Sequence, residues 1–136
     1  MLTEQGIRRY IKSDIDIIFL EESPSTNLEA KSIAATAREG TVIFARRQLS
    51  GRGRMGRSFE SPEGGIYMTM LVRPTDPVCL TMAAAVAVRR AMVDKLNLDP
   101  AIKWVNDIYW EGKKVCGILA EGALCKYELR YAAVGV

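Results

Sequence analysis

Between Ser50 and Ser58 the chain reads Ser-Gly-Arg-Gly-Arg-Met-Gly-Arg-Ser, a run of guanidinium groups separated by glycines. Glycine lets a backbone take positive φ and approach a ligand closely, while arginine grips carboxylate or phosphate through a planar fork of donors. The chemistry such a loop offers is therefore anion capture. Like charges in one flexible segment repel, and ordering it costs roughly 1–2 kcal/mol per residue, so the loop is expected to move until an anion bridges its arginines. Four other places carry reactive or polar groups: Ser25-Thr26-Asn27, Gln48 directly ahead of the loop, Lys103 to Asp107, and Lys114. By position alone, Ser25-Thr26-Asn27 reads as a helix cap and Lys114 as a solvated edge lysine; each also reads as a donor aimed at a polar ligand.

The elements that must position these groups follow from patterning. Glu4 to Ile11 is a short helical arm, and Ile15 to Leu20, rich in β-branched residues, a first strand ended by Glu21 to Pro24. Leu28 to Arg38 carries a helical apolar face of Leu28, Ala30, Ile33, Ala34 and Ala37, with Gly40 as its stop. Thr41 to Gln48 is a strand running straight into the arginine loop, and Ile66 to Arg73 returns from it as an antiparallel partner. Pro74 and Pro77 bracket a turn before the longest helix, Val78 to Leu96, whose alanines suit close approach to a sheet. Ala101 to Trp110 is a strand interrupted at Asn106-Asp107. Glu111-Gly112-Lys113 turns it into Lys114 to Ala120, and Tyr127 to Val136 is a last strand. Together these predict one α+β domain over residues 1–136, with a mixed or antiparallel sheet and helices packed on one face.

Composition removes several functions. The chain has no histidine, which excludes a histidine-based triad or histidine-ligated zinc site within it. Cys79, Cys116 and Cys125 form no Cys-x-x-Cys pair and fit a reducing, cytoplasmic setting; no membrane anchor is expected, because Leu80 to Val88 is too short to span a bilayer. The net charge of +3 is concentrated at Arg46, Arg47, Arg52, Arg54 and Arg57, which favours a small anion over nucleic acid, as does the lack of interleaved aromatics.

Five stretches closely resemble the catalytic domain of biotin protein ligases, also called biotin-[acetyl-CoA-carboxylase] ligase or holocarboxylase synthetase. They are Ser25-Thr26-Asn27; Gln48 with Gly51-Arg52-Gly53-Arg54-Met55-Gly56-Arg57; Ser61-Pro62; Lys103-Trp104-Val105-Asn106-Asp107; and Lys114-Val115-Cys116-Gly117-Ile118-Leu119. The resemblance implies a fold like that of class II aminoacyl-tRNA synthetases and a two-step reaction of protein biotinylation. Biotin's carboxylate attacks the α-phosphate of ATP to give biotinyl-5′-AMP and pyrophosphate; a lysine of a biotin carboxyl carrier protein then takes the biotinyl group. It further implies Ser25, Thr26, Asn27 and Gln48 at biotin's ureido end and Gly51, Arg52, Gly53 and Arg54 over its carboxylate. Lys114, with Arg54, is the implied catalytic cation, and Gly117 and Leu119 are implied pocket walls. Arg52, Arg57, Phe59, Lys103 and Asn106 are implied on the ATP side, and Asp107 as the carboxylate for Mg²⁺. Phe59 stands where the family often has tryptophan, and Val105 where it usually has proline. The family's later asparagine-bearing strand, further helix and C-terminal barrel, and the N-terminal helix-turn-helix of its repressor members, are not expected in this chain. A homodimer is compatible with the resemblance. Other readings are a lipoate or octanoyl protein ligase, and a non-catalytic module that holds biotin or its adenylate.

Overall fold

The computed structural model describes residues 2–73, 79–125 and 128–136. The chain forms α1 (Glu4–Tyr10), β1 (Ile17–Ser23), α2 (Thr26–Ile33), β2 (Val42–Gln48), β3 (Tyr67–Val72), α3 (Leu80–Leu96), β4 (Ala101–Lys103), β5 (Asp107–Trp110), β6 (Lys113–Gly117), β7 (Leu119–Cys125) and β8 (Glu128–Gly135). Five strands make a mixed sheet in the order β1-β2-β3-β8-β7, and β4-β5-β6 make a second, antiparallel one. Among the described strands only β1 and β2 run parallel, joined through α2. The expected α+β class and the β2–β3 pair flanking the arginine loop are both present.

Alternation along β2 and β3 divides the core. Ile43 and Leu71 join Ala133 of β8 against Ala30 and Ala34 of α2 and the turn after it. Val42 and Phe44 point the other way, into a cluster with Ile7 of α1 and Ile17. Val134 faces that second side too, and with Ala85 of α3, Ile108 and Ile118 it ties the small sheet to the large one. The helices thus divide between the sheet's faces, where the sequence pattern had suggested one: α2 covers one side, α1 and α3 the other. Burying a side chain such as Ile43 or Leu71 contributes about 1.5–3 kcal/mol.

Several boundaries differ from the sequence reading for tertiary reasons. β1 runs on through Glu21, Glu22 and Ser23 because Glu22 and Ser23 keep register with Arg47 and Gln48 of β2. α2 starts at Thr26, not Leu28, and ends at Ile33, so Thr26 and Asn27 occupy its first turn. The run from Lys114 to Ala120 is not one strand. It breaks at Ile118, where the chain leaves the small sheet for the large one, and the Ile118 N–H donates to the Asn106 carbonyl at 2.8 Å. Of the alanines in α3 only Ala85 is fully buried. The turn between Pro74 and Pro77 and the expected starts at Val78 and Tyr127 lie outside the described residues. Leu71→Ala should lower the unfolding free energy by about 2–5 kcal/mol, read from the urea midpoint, because Leu71 is fully enclosed between α2 and the sheet.

Candidate active site

The C-terminal ends of the parallel strands, the start of α2 and the β6–β7 break converge on one cleft of about 270 Å³. Its floor is polar and enclosed. Ser25, Thr26, Asn27 and Thr69 are each almost wholly buried, so their polar atoms require partners inside the protein. Thr69 Oγ1 lies 2.7 Å from Asn27 Oδ1 and 2.8 Å from Thr26 Oγ1. An amide oxygen only accepts, so Thr69 gives its proton to Asn27 and receives one from Thr26. The Thr26 backbone N–H donates to Gln48 Oε1 at 2.8 Å, and Gln48 Nε2 donates to Ser61 Oγ at 2.9 Å. Asn27 Nδ2 donates both its protons, to the Leu119 carbonyl at 3.2 Å and to Glu121 Oε2 at 2.9 Å. Ser25 stands at the N-cap of α2 without a side-chain capping bond, and its side chain lines the cleft.

Cations form the rim. The arginine loop is a small hairpin: Arg52 bridges to Ser58, the Gly53 N–H donates to the Arg57 carbonyl at 2.7 Å, and a single 3₁₀ turn spans Arg54–Gly56. Three of the cleft's cations already hold protein acceptors. Arg52 lies 3.5 Å from Glu121, Arg54 donates to Asn106 Oδ1 at 3.0 Å, and Lys114 pairs with Asp107 at 2.8 Å. The Lys114 ammonium also sits 5.5 Å from the centre of the Phe59 ring. A Cβ built on Gly117 would come within 3.1 Å of that ring and 3.2 Å of Lys114 Nζ, so glycine here admits both side chains to the cleft wall.

Most of the residues named from the sequence therefore meet: Ser25, Thr26, Asn27, Gln48, Arg52, Gly53, Arg54, Arg57, Phe59, Asn106, Asp107, Lys114, Gly117 and Leu119 all line the cleft. Two stand apart. Lys103 points its ammonium over the Tyr109 ring at 5.2 Å. Gly51 lies under the loop, where a Cβ would collide with the Phe59 carbonyl and the Ser61 hydroxyl. Asp107 is the one carboxylate among the lining residues, and no cluster of three metal-ligating side chains occurs among the described residues. Sequence reasoning gave no role to Thr69, Ser61 or Glu121. Their available signal was a polar residue at an inward position of an apolar strand, visible for Thr69 in β3 and Glu121 in β7.

Three ionisable groups are shifted by this packing, among them the Tyr67 phenol, which burial raises. Burial pushes the Cys116 thiol up to about 11; neighbouring Lys114 pulls it down and Asp107 adds to the rise. For Glu121 burial alone would raise the carboxyl, but hydrogen bonds from Lys31 and Asn27 and the charges of Lys31 and Arg52 outweigh it and hold it below the ordinary value. Glu121 thus favours the fold above the usual glutamate range, and that contribution fades as pH falls through its lowered value.

The chain belongs to the biotin/lipoate A/B protein ligase family, whose model matches residues 17–136. It is 36% identical over 144 residues to the bifunctional ligase/repressor BirA of Bacillus subtilis, a match covering 99% of this chain and 44% of that protein. Among solved structures it resembles the biotin protein ligase of Leishmania major in complex with biotinyl-5-AMP, with a TM-score of 0.77 and 32% identity over 88% of this chain and 55% of that one. The biotin protein ligase of Aquifex aeolicus in complex with biotin and ATP gives a TM-score of 0.75 and 34% identity over 89% and 51%. The chain thus spans about half the length of the relatives it matches. Its catalytic-domain fold is of the class II aminoacyl-tRNA synthetase type.

A neutral thiol is a poor nucleophile. Alkylation with iodoacetamide at pH 8, followed by peptide mass spectrometry, should label exposed Cys79 and leave Cys116 largely unmodified until the protein is unfolded.

Proposed function

We propose that the chain is the N-terminal and central part of a biotin protein ligase catalytic domain. In this reading it activates biotin with ATP and passes the biotinyl group to a lysine of a carrier protein in the cytoplasm. The observation that carries the proposal is the pairing, within one cleft, of a buried hydroxyl–amide floor with a cationic rim of Arg52, Arg54 and Lys114. Biotin has matching ends: a neutral ureido ring that needs fixed donors and acceptors, and a carboxylate that needs cations. The named complexes of the relatives support the same ligands, biotin, ATP and biotinyl-5-AMP.

The residues divide the work by chemistry. Ser25, Thr26, Asn27 and Gln48 orient the ureido end, with the internal hydrogen bonds already fixing which atoms face inward. Arg52 and Arg54 exchange Glu121 and Asn106 for the ligand's carboxylate and the α-phosphate. This brings two anions within reaction distance, where orientation and fixed charge supply most of the rate. Lys114 balances charge as a carboxylate oxygen attacks phosphorus and pyrophosphate leaves, its ammonium held in place by Asp107. Phe59 at the cleft wall offers a face for adenine, with Arg57 and Asn106 beside it. Mg²⁺ usually takes one or two carboxylates and completes its shell with phosphates and water. Asp107 fits that role as a single protein ligand, and the ion would neutralise phosphate charge. In the second step the carrier lysine attacks the anhydride carbonyl and AMP leaves. Among the described residues no helix is long and apolar enough to cross a membrane.

The test is pyrophosphate release on mixing protein, biotin and MgATP. Biotin-dependent release is expected, and Lys114→Ala should reduce its rate on the order of 10²–10³-fold while weakening biotin binding far less. Binding of biotin without release would assign a non-catalytic binder. Equal losses in rate and binding would remove Lys114 from the catalytic role.

A further inference from the structure

Glu121 does not line the cleft, yet its carboxylate reaches three residues on two elements that build it, α2 and the arginine loop. Oε2 accepts from Asn27 Nδ2 of α2 at 2.9 Å. Oε1 accepts from Lys31 Nζ at 2.8 Å and stands 3.5 Å from Arg52 Nη2 of the arginine loop. The side chain is 19% exposed, so it is a largely enclosed anion at neutral pH, stabilised by those three donors. Its bonds differ in quality. Asn27 and Lys31 sit at full hydrogen-bond distance, whereas Arg52 is further away and its side chain is 44% exposed. A carboxylate so arranged holds the amide firmly and the guanidinium loosely.

We propose that Glu121 is a positioning residue that joins the two ends of the cleft: it fixes the Asn27 amide, and it serves as an internal counter-anion that keeps Arg52 until a ligand carboxylate or phosphate replaces it. This rests on the ligand reading above. The first role follows from donor counting. With both Asn27 amide protons taken by Leu119 and Glu121, the amide cannot turn, and Oδ1 stays directed at Thr69. The second follows from competition. A ligand anion entering between Arg52, Arg54 and Lys114 meets three cations, while Glu121 already has Lys31, so the transfer of Arg52 leaves neither anion unpaired. Glu121 therefore tunes how strongly the cleft selects an anionic ligand, and it restrains the empty loop.

The experiment compares the full chain with Glu121→Gln and Glu121→Ala by calorimetric titration with biotin and with biotinamide, which keeps the ureido ring but carries no charge. Glutamine retains an acceptor for Asn27 and removes the anion. Glu121→Gln should tighten biotin by roughly two- to fivefold, the scale of a half-exposed ion pair, and leave biotinamide unchanged. Glu121→Ala should weaken biotinamide as well, since Asn27 then loses its anchor. A merely structural role would move both ligands together in Glu121→Gln, and that result overturns the proposal. Trypsin cleavage in the ligand-free loop gives an arm independent of ligand identity. Faster cutting after Arg52 and Arg54 in Glu121→Gln, relative to cutting at arginines outside the loop, supports the counter-anion role, and an unchanged ratio contradicts it. Should the unmodified chain bind neither compound, the biotin reading fails while the trypsin comparison still decides the role of Glu121.

Discussion

A buried amide with every proton committed sets the character of this cleft. Asn27 is almost wholly enclosed, and an unpaired amide in such a place costs on the order of 1–3 kcal/mol. Its partners come from two strands: Thr69 on β3, and the Leu119 carbonyl and Glu121 on β7. β3 and β7 are not neighbours; β8 lies between them, and its Gly135 leaves Asn27 room, since a Cβ there would strike the amide oxygen. The network forms only when β3, β8 and β7 are in register, so assembling the sheet and building the pocket floor are one event.

The same economy governs the rim. Clustered cations in an empty cleft would repel one another, and here Arg52, Arg54 and Lys114 hold Glu121, Asn106 and Asp107. Those pairs are partly solvated and individually weak. They keep the loop folded as a hairpin without making the cations unavailable, because a ligand bearing a carboxylate and a phosphate offers better acceptors than the protein does. The sequence suggested a loop without internal order; the observed hairpin, closed by Arg52–Ser58 and Gly53–Arg57, shows that glycine spacing permits local hydrogen bonds as well as reach.

What could be read from the chain alone was local. Ile43 and Leu71 lie in apolar, β-branched strand runs, and Arg52 to Arg57 announce an anion site by type and spacing. What could not be read was distant pairing. Nothing near Glu121 in sequence shows that it meets Lys31 and Asn27, some ninety positions away, nor does the apolar run from Val115 to Ala120 show that it crosses between sheets at Ile118. The end of β1 follows the same rule: Glu21 to Pro24 look like a turn in sequence, yet β2 supplies register partners for Glu22 and Ser23. Lys103 matched a motif and pairs with Asp107 in register, but its ammonium lies along β5 over the Tyr109 ring and it does not line the cleft.

The proposed function requires a cleft shaped for a ligand that is neutral and polar at one end and anionic at the other. The most direct test is a side-by-side calorimetric titration of the chain with biotin and with lipoate, which share a carboxylate tail but differ at the ring. Saturable one-to-one heat is expected with biotin and at least tenfold weaker binding with lipoate, because a dithiolane cannot satisfy the hydroxyl–amide floor, roughly 1.4 kcal/mol or more of discrimination. Equal affinity for the two, or no heat with biotin at near-millimolar concentration, would contradict it.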